Sequence, residues 1–208
     1  MSRIIAGAAG GLRLASVPGD ATRPTTDRVK ESLFSKLESY DMLRGARVLD
    51  AYAGSGALGC EAASRGASTV LLSDKAPKAV TACRKNAAAV QQALAGSGTI
   101  SVQQSSARAA LNSGTWDVVF IDPPYALENE QIVQDMLAVQ PHLAPGAIVV
   151  VERASRDEEP AWPVGYHRFA LKKHGETVLY YVEPDPESEN AAESTEDNSS
   201  EDIVESEE

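Results

Sequence analysis

Five short apolar runs, each followed by a longer segment of helical periodicity, constrain this chain more than any other feature. The runs are Arg47–Asp50, Thr69–Asp74, Thr99–Val102, Val118–Ile121 and Ala147–Val151. Between them, roughly residues 57–66, 77–93, 105–112 and 128–140 carry Ala-rich helical patterns. Strands that are apolar on both faces and alternate with helices predict a parallel sheet covered on each side. Two further runs, near 166–172 and 176–182 around Gly175, predict an antiparallel hairpin at the sheet edge. Ahead of the alternation, Val29, Leu33, Phe34 and Leu37 fall at helical spacing over Thr26–Tyr40, with Thr26 or Asp27 as the N-cap. Ile4-Ile5 and Leu12-Arg13-Leu14, spaced by Gly7, Gly10 and Gly11, predict a short β-hairpin arm. The expected fold is α/β: a mostly parallel seven-stranded sheet with an antiparallel C-terminal hairpin and a small N-terminal hairpin and helix extension. Residues 1–43 form that extension, 44–182 the main domain, and 183–208 a tail.

Composition enters through charge. The 208 residues carry a formal net charge of −11, which would argue against a nucleic-acid partner if it were spread evenly. It is not. Residues 183–208 hold twelve Asp or Glu and no Lys or Arg, and without them 18 acids face 19 bases. The tail is too polar to repay the entropy of ordering and is expected to be disordered. The remainder is close to neutral. No apolar run reaches the ~20 residues of a membrane helix, and the N-terminus lacks the apolar stretch of a secretory signal. Cys60 and Cys83 alone cannot build a disulfide framework or a four-cysteine zinc site. The expectation is a soluble cytoplasmic protein with no metal centre.

The first strand leads into Asp50-Ala51-Tyr52-Ala53-Gly54-Ser55-Gly56-Ala57-Leu58-Gly59. Glycines in a G-x-G-x-x-G spacing between strand and helix let the backbone turn tightly and approach a ligand. The helix N-terminus then offers N–H groups to an anionic ligand group. Asp50, at the strand's end, would repel a dinucleotide's pyrophosphate but attract an ammonium and a sulfonium. S-adenosylmethionine carries both, and a carboxylate for the helix N-terminus. Asp74 ends the second strand, where an acid can accept hydrogen bonds from ribose hydroxyls. The third strand is followed by Ser105-Ser106-Ala107, where an adenine edge would be read or a helix capped.

The fourth strand runs into Asp122-Pro123-Pro124-Tyr125. Open α/β sheets bind ligands at the carboxyl ends of their strands. Prolines fix φ and donate no N–H, so their carbonyls are left as acceptors. Asp122 and the Pro123 carbonyl can accept both hydrogens of an exocyclic amino group while Tyr125 stacks on its ring. Such an amine is a weak nucleophile because its lone pair is delocalised into the ring. Accepting both hydrogens pulls the nitrogen toward tetrahedral geometry and aims the lone pair at a methyl donor. Positioning would supply much of the acceleration, and Asp122 would stabilise the charge developing on nitrogen.

At these residues the chain resembles the class I S-adenosylmethionine-dependent amino-methyltransferases, and within them the bacterial methyltransferases that modify guanine N2 of 16S ribosomal RNA, the RsmD type. The resemblance runs through Arg3-Ile4-Ile5-Ala6-Gly7, Arg23-Pro24-Thr25-Thr26-Asp27-Arg28-Val29-Lys30-Glu31, Asp50 to Gly59 and Asp122 to Tyr125, and covers about residues 3–182. It implies a Rossmann-like class I methyltransferase fold. It also implies cofactor contacts from Asp50, Gly54, Ser55, Gly56, Asp74 and Ser106, with Ala107 beside them. Lys75 follows the ribose acid, and its stem would cover the adenine ring. Asp122 to Tyr125 would hold the target guanine. The implied partner is 16S rRNA, within a 30S subunit or assembly intermediate, and the implied form is a monomer.

Residues 1–47 hold eight bases against five acids, and Arg23 and Arg28 are the expected phosphate contacts. Lys30 and Lys36 read as a solvated helix face with Glu31 and Glu38, Cys60 as buried packing, and the three histidines as surface residues. Three other readings are weighed against the leading one. A DNA adenine-N6 methyltransferase would need a sequence-reading domain that the length does not supply. A nucleic-acid-binding module with a relic pocket would not need an intact Asp122–Tyr125 segment. A nicotinamide oxidoreductase is disfavoured by Asp50.

Overall fold

The computed structural model describes residues 2–19 and 26–185. The tail beyond Asp185 and the Arg23 position lie outside the described residues. The elements run α1 (Asp27–Ser39), β1 (Arg47–Asp50), α2 (Ala57–Ser64), β2 (Thr69–Asp74), α3 (Pro77–Leu94), β3 (Thr99–Gln104), α4 (Ala107–Leu111), β4 (Trp116–Ile121), α5 (Asn129–Val139), β5 (Leu143–Ala154), β6 (Tyr166–His174) and β7 (Thr177–Pro184). One seven-stranded sheet has the order β3-β2-β1-β4-β5-β7-β6. Strands β1 to β5 are parallel, and β7 pairs antiparallel with both β5 and β6. This is the arrangement expected from the apolar alternation, and the chain reverses direction across the sheet between β1 and β4, where ligands bind in such folds.

The two faces of the sheet bury different clusters. Val48, Val70, Phe120 and Val150 pack under α1, α2 and α3 with Leu33, Phe34 and Leu37. Leu49, Val119, Ile121, Val149 and Val151 pack under α5 with Ile132 and Met136. Strict alternation along each strand sends neighbouring residues to opposite faces. Phe34 meets Phe120 edge to face at 5.7 Å, an arrangement worth about 1 kcal/mol beyond the buried area. Helix α1 starts where its cap requires, with the Thr26 hydroxyl accepting from Val29 N.

The N-terminal arm forms the short antiparallel hairpin its sequence predicts. A single antiparallel bridge, Arg3 to Arg13, joins its two sides. Ile4 N donates to the Leu12 carbonyl and Leu14 N to the Ser2 carbonyl, both at 2.9 Å, while donors between them turn to α2. Glu61 accepts from Ile5 N at 2.7 Å and Ala6 N at 3.0 Å, while Ser64 accepts from Ala9 N at 2.9 Å through its hydroxyl and from Ala8 N at 2.8 Å through its carbonyl. Gly7 makes this docking possible, because at φ +83° a Cβ would stand 1.9 Å from the Ser64 carbonyl oxygen. Gly7→Ala is therefore expected to destabilise the fold by about 3 kcal/mol and lower Tm by roughly 8 °C. Thermal unfolding checks it, and an unchanged Tm would show that the arm is not tied down this way.

Lys30 departs from the solvated face its spacing suggests. It is fully buried, with Nζ donating to the Arg3 carbonyl and to Ser2 Oγ and pairing with Asp27. Burial lowers its pKa, against the opposing pull of Glu61 and Asp27. It anchors the arm. Lys36 is half-buried over the rings of Tyr40 and Tyr181. Helical periodicity identifies the apolar stripe, but long lysine stems that feed an ammonium under a docked arm leave no mark in it.

Candidate active site

The glycine loop is held from three sides. Gly54 and Gly56 adopt φ +55° and +78°, left-handed conformations that glycine enters at little cost. Gly54 N donates to Asp74 Oδ2 at 2.9 Å, and Asp74 Oδ1 accepts from Ala76 N at 2.8 Å. Asp74 thus braces the loop against β2 and retains lone pairs for a further donor. A Cβ at Gly56 would approach Leu72 to 2.7 Å, and one at Gly59 would approach it to 2.2 Å, so both are needed for close helix–strand packing. A Cβ at Gly54 would meet nothing within 4 Å, so the loop is open there to an approaching ligand.

Asn86, in the middle of α3, supplies the second support. Its amide donates to the Ser55 carbonyl at 2.8 Å and to the Ala15 carbonyl at 2.9 Å, and accepts from Ala15 N at 2.8 Å. One side chain therefore ties the arm to the loop. Tyr52 supplies the third, donating its hydroxyl to the buried Asp135 of α5. Burial and that carboxylate both push the Tyr52 pKa up, so it stays a donor. Neither support has a motif; the only signal is a polar residue inside an otherwise apolar helix stripe.

Asp50 is 1% exposed and accepts from Gly59 N at 3.0 Å, capping α2 across the loop. Its carboxyl is pushed up to about 7, first by burial and then by Asp122 and Asp74, against the Gly59 hydrogen bond. An acid in this state gains from a cationic ligand. The register explains the cluster. Asp50 pairs with Phe120 and Ile121 with Val151, so Asp50 ends β1, Asp122 directly follows β4, and Glu152 lies level with Asp122 near the end of β5. Each continues the face of Val48, Phe120 or Val150, the face covered by α1. Parallel strands in register carry their acids to one edge.

Beyond that edge, Pro123 is buried and Tyr125 is 40% exposed. The Pro124 carbonyl accepts from Leu127 N at 2.9 Å and closes the turn. Tyr125 opens onto a cavity of about 530 Å³ whose walls include Thr26, Arg28, Glu152, Lys173 and His174. Arg28 thus stands beside the tetrapeptide. His174 is half-buried rather than fully exposed: its Nε2 is shielded, and burial, Lys172 and Arg28 lower its pKa. The β6–β7 turn brings it and Lys173 to the cavity, a placement set by strand order.

The remaining expected residues are placed less centrally. Ser106 is exposed and its hydroxyl accepts from Ala109 N at 3.2 Å, capping α4, which begins at Ala107. Ser105 instead meets Ser73 at 2.8 Å. Lys75 is exposed. Cys60 is buried, as its helix position suggests, and burial pushes its thiol up to about 12. Among the described residues no group of three His, Cys, Asp or Glu could hold a metal ion, and no helix is long and apolar enough to cross a membrane.

The chain matches the family described as conserved hypothetical protein 95 over residues 2–183. It is 33% identical over 191 residues to the ribosomal RNA small subunit methyltransferase D of Escherichia coli K12, covering 90% of this chain and 93% of that protein. To the protein of the same name from Haemophilus influenzae it is 35% identical over 154 residues, covering 72% and 77%. Among solved structures, the yhhF protein of Escherichia coli superposes with a TM-score of 0.74 at 32% identity, covering 88% of this chain and 98% of that one.

Proposed function

The chain belongs to the conserved hypothetical protein 95 family and to the ribosomal RNA small subunit methyltransferase D relatives within its reach, and from that membership we propose that it methylates ribosomal RNA. The finer reading is transfer from S-adenosylmethionine to the exocyclic N2 of a guanine in 16S rRNA, in a 30S subunit or assembly intermediate. It acts as a cytoplasmic monomer without a metal ion. Residues 44–182 are the catalytic unit, 1–43 its arm, and 183–208 an appendage. The observation that carries this reading is the placement of Asp50 and Asp122 at the carboxyl ends of adjacent parallel strands, beside a cavity that Tyr125 opens.

The donor set fits S-adenosylmethionine. Asp50 offers a buried acid, Gly54 an open backbone surface, Asp74 acceptors for ribose hydroxyls, and α2 an N-terminus for a carboxylate. When bound, that molecule supplies an electrophilic methyl carbon on a sulfonium that departs as a neutral thioether. Asp122 and the Pro123 carbonyl accept the two N2 hydrogens and turn the lone pair toward the methyl group, while Tyr125 stacks on the base. As the new N–C bond forms, Asp122 faces the growing positive charge on nitrogen. One N2 proton then leaves to Asp122 or through it to water. Arg28 and Lys173 meet the phosphates of the incoming strand.

Incubation with methyl-labelled S-adenosylmethionine and under-methylated 30S particles, followed by nucleoside mapping, is expected to yield N2-methylguanosine at one 16S position. Active, cofactor-binding protein that forms none would overturn the reading.

A further inference from the structure

Glu152 is the acid of this edge that the proposed chemistry leaves without a task. It follows Val151, the register partner of Ile121, just as Asp122 follows Ile121. The two carboxylates therefore stand on neighbouring strands and on the face that carries Val150 and Phe120. Glu152 is 6% exposed, its Oε2 atom is buried, and it lines the cavity that Tyr125 opens. Arg28 and Lys173 line the same cavity and temper the cost of holding an acid there.

We propose that Glu152 selects the base: its carboxylate accepts the N1–H of the target guanine while Asp122 holds N2. This rests on the functional reading above and extends it from the reacting nitrogen to base recognition. Guanine presents N1–H and N2–H donors side by side. Two acids on adjacent strands match two adjacent donors. Adenine and 2-aminopurine present a lone pair at N1, which a carboxylate repels. A purine with an amino group at position 2 but no N1–H can therefore reach Asp122 and still be refused. A site built around a buried hydrogen-bonding group rejects an analogue that leaves it unpaired by large factors.

The test uses full-length protein and 30S particles carrying guanine or 2-aminopurine at the mapped position, with wild type and Glu152→Gln. Wild type is expected to prefer guanine by at least about 100-fold in kcat/KM. In Glu152→Gln the amide can donate to the bare N1, and the preference is expected to shrink by about 30-fold or more. Comparing the two ratios cancels the intrinsic reactivity of each base. Equal loss on both bases, or an unchanged ratio, would overturn the proposal and leave Glu152 a structural ion-pair partner. Wild type that forms no N2-methylguanosine on the guanine particles would instead overturn the functional reading, and this one with it. Should Glu152→Gln not fold by thermal unfolding, wild type on 1-methylguanine particles decides: loss of turnover is expected, and turnover equal to guanine refutes the role.

Discussion

Replacing Asp122 with alanine is expected to reduce single-turnover methyl transfer by about 1,000-fold, or about 4 kcal/mol of barrier, while S-adenosylmethionine affinity stays within about threefold. The separation follows from the geometry. Asp122 directly follows β4, whereas the glycine loop follows β1 and Asp74 ends β2. Alanine removes both the acceptor that orients the amine and the charge that offsets its developing cation. Asparagine keeps an acceptor and loses only the charge, so Asp122→Asn should retain more activity than Asp122→Ala. Rapid-quench kinetics with calorimetric cofactor titration measures the pair. Comparable rates in wild type and Asp122→Ala would remove Asp122 from the reaction.

Asp50→Asn is expected to do two opposite things. In the free protein the Asp50 carboxyl titrates near 7, above its ordinary 3.8, because burial, Asp122 and Asp74 disfavour its charge. The folded state therefore holds this proton more tightly than the unfolded chain. Stability is greatest below pH 4 as far as this group is concerned, and is lost as pH rises from about 4 through about 7. The difference corresponds to on the order of 4 kcal/mol. Asparagine still accepts from Gly59 N but carries no charge, so the variant should match wild type near pH 4 and exceed it at pH 8. Its affinity for S-adenosylmethionine should meanwhile fall by at least about 30-fold, since the ligand's cations lose their buried partner. In wild type, binding at pH 6 should release a proton, measurable by calorimetry in buffers of different ionisation heat. Parallel stability curves across pH, with no proton release, would show that Asp50 is merely a helix cap.

The parts of this molecule that could be read from sequence are those governed by local periodicity. Runs such as Val118–Ile121 announce a strand apolar on both faces, and Gly54 and Gly56 announce a turn that favours glycine, with Gly59 marking close helix–strand packing. The Asp122-Pro123-Pro124-Tyr125 segment could be read because its chemistry is contiguous. What stayed hidden depends on which elements become neighbours. Glu152 lies thirty residues after Asp122, and only strand pairing puts them side by side. Asn86 looks like one polar residue in an Ala-rich helix until the arm folds over it. Lys30 looks solvated until Arg3 and Ser2 close on its ammonium. His174 and Lys173 reach the cavity because β7 inserts between β5 and β6.

The antiparallel run of β7 also decides how the molecule is best handled. Thr177 pairs with Ala154 at the cavity end of β5, and Val182 pairs with Val149 toward its beginning. The eight residues of β7 carry the backbone away from the cavity by roughly 25 Å at the rise of an extended strand. An affinity handle, fluorophore or sensor-chip linker joined after Asp185 is thus rooted on the side turned away from the base cavity. A support coupled there presents the cavity edge to the bulk solution, which makes the C-terminal side the one to immobilise when large particles are offered as substrates.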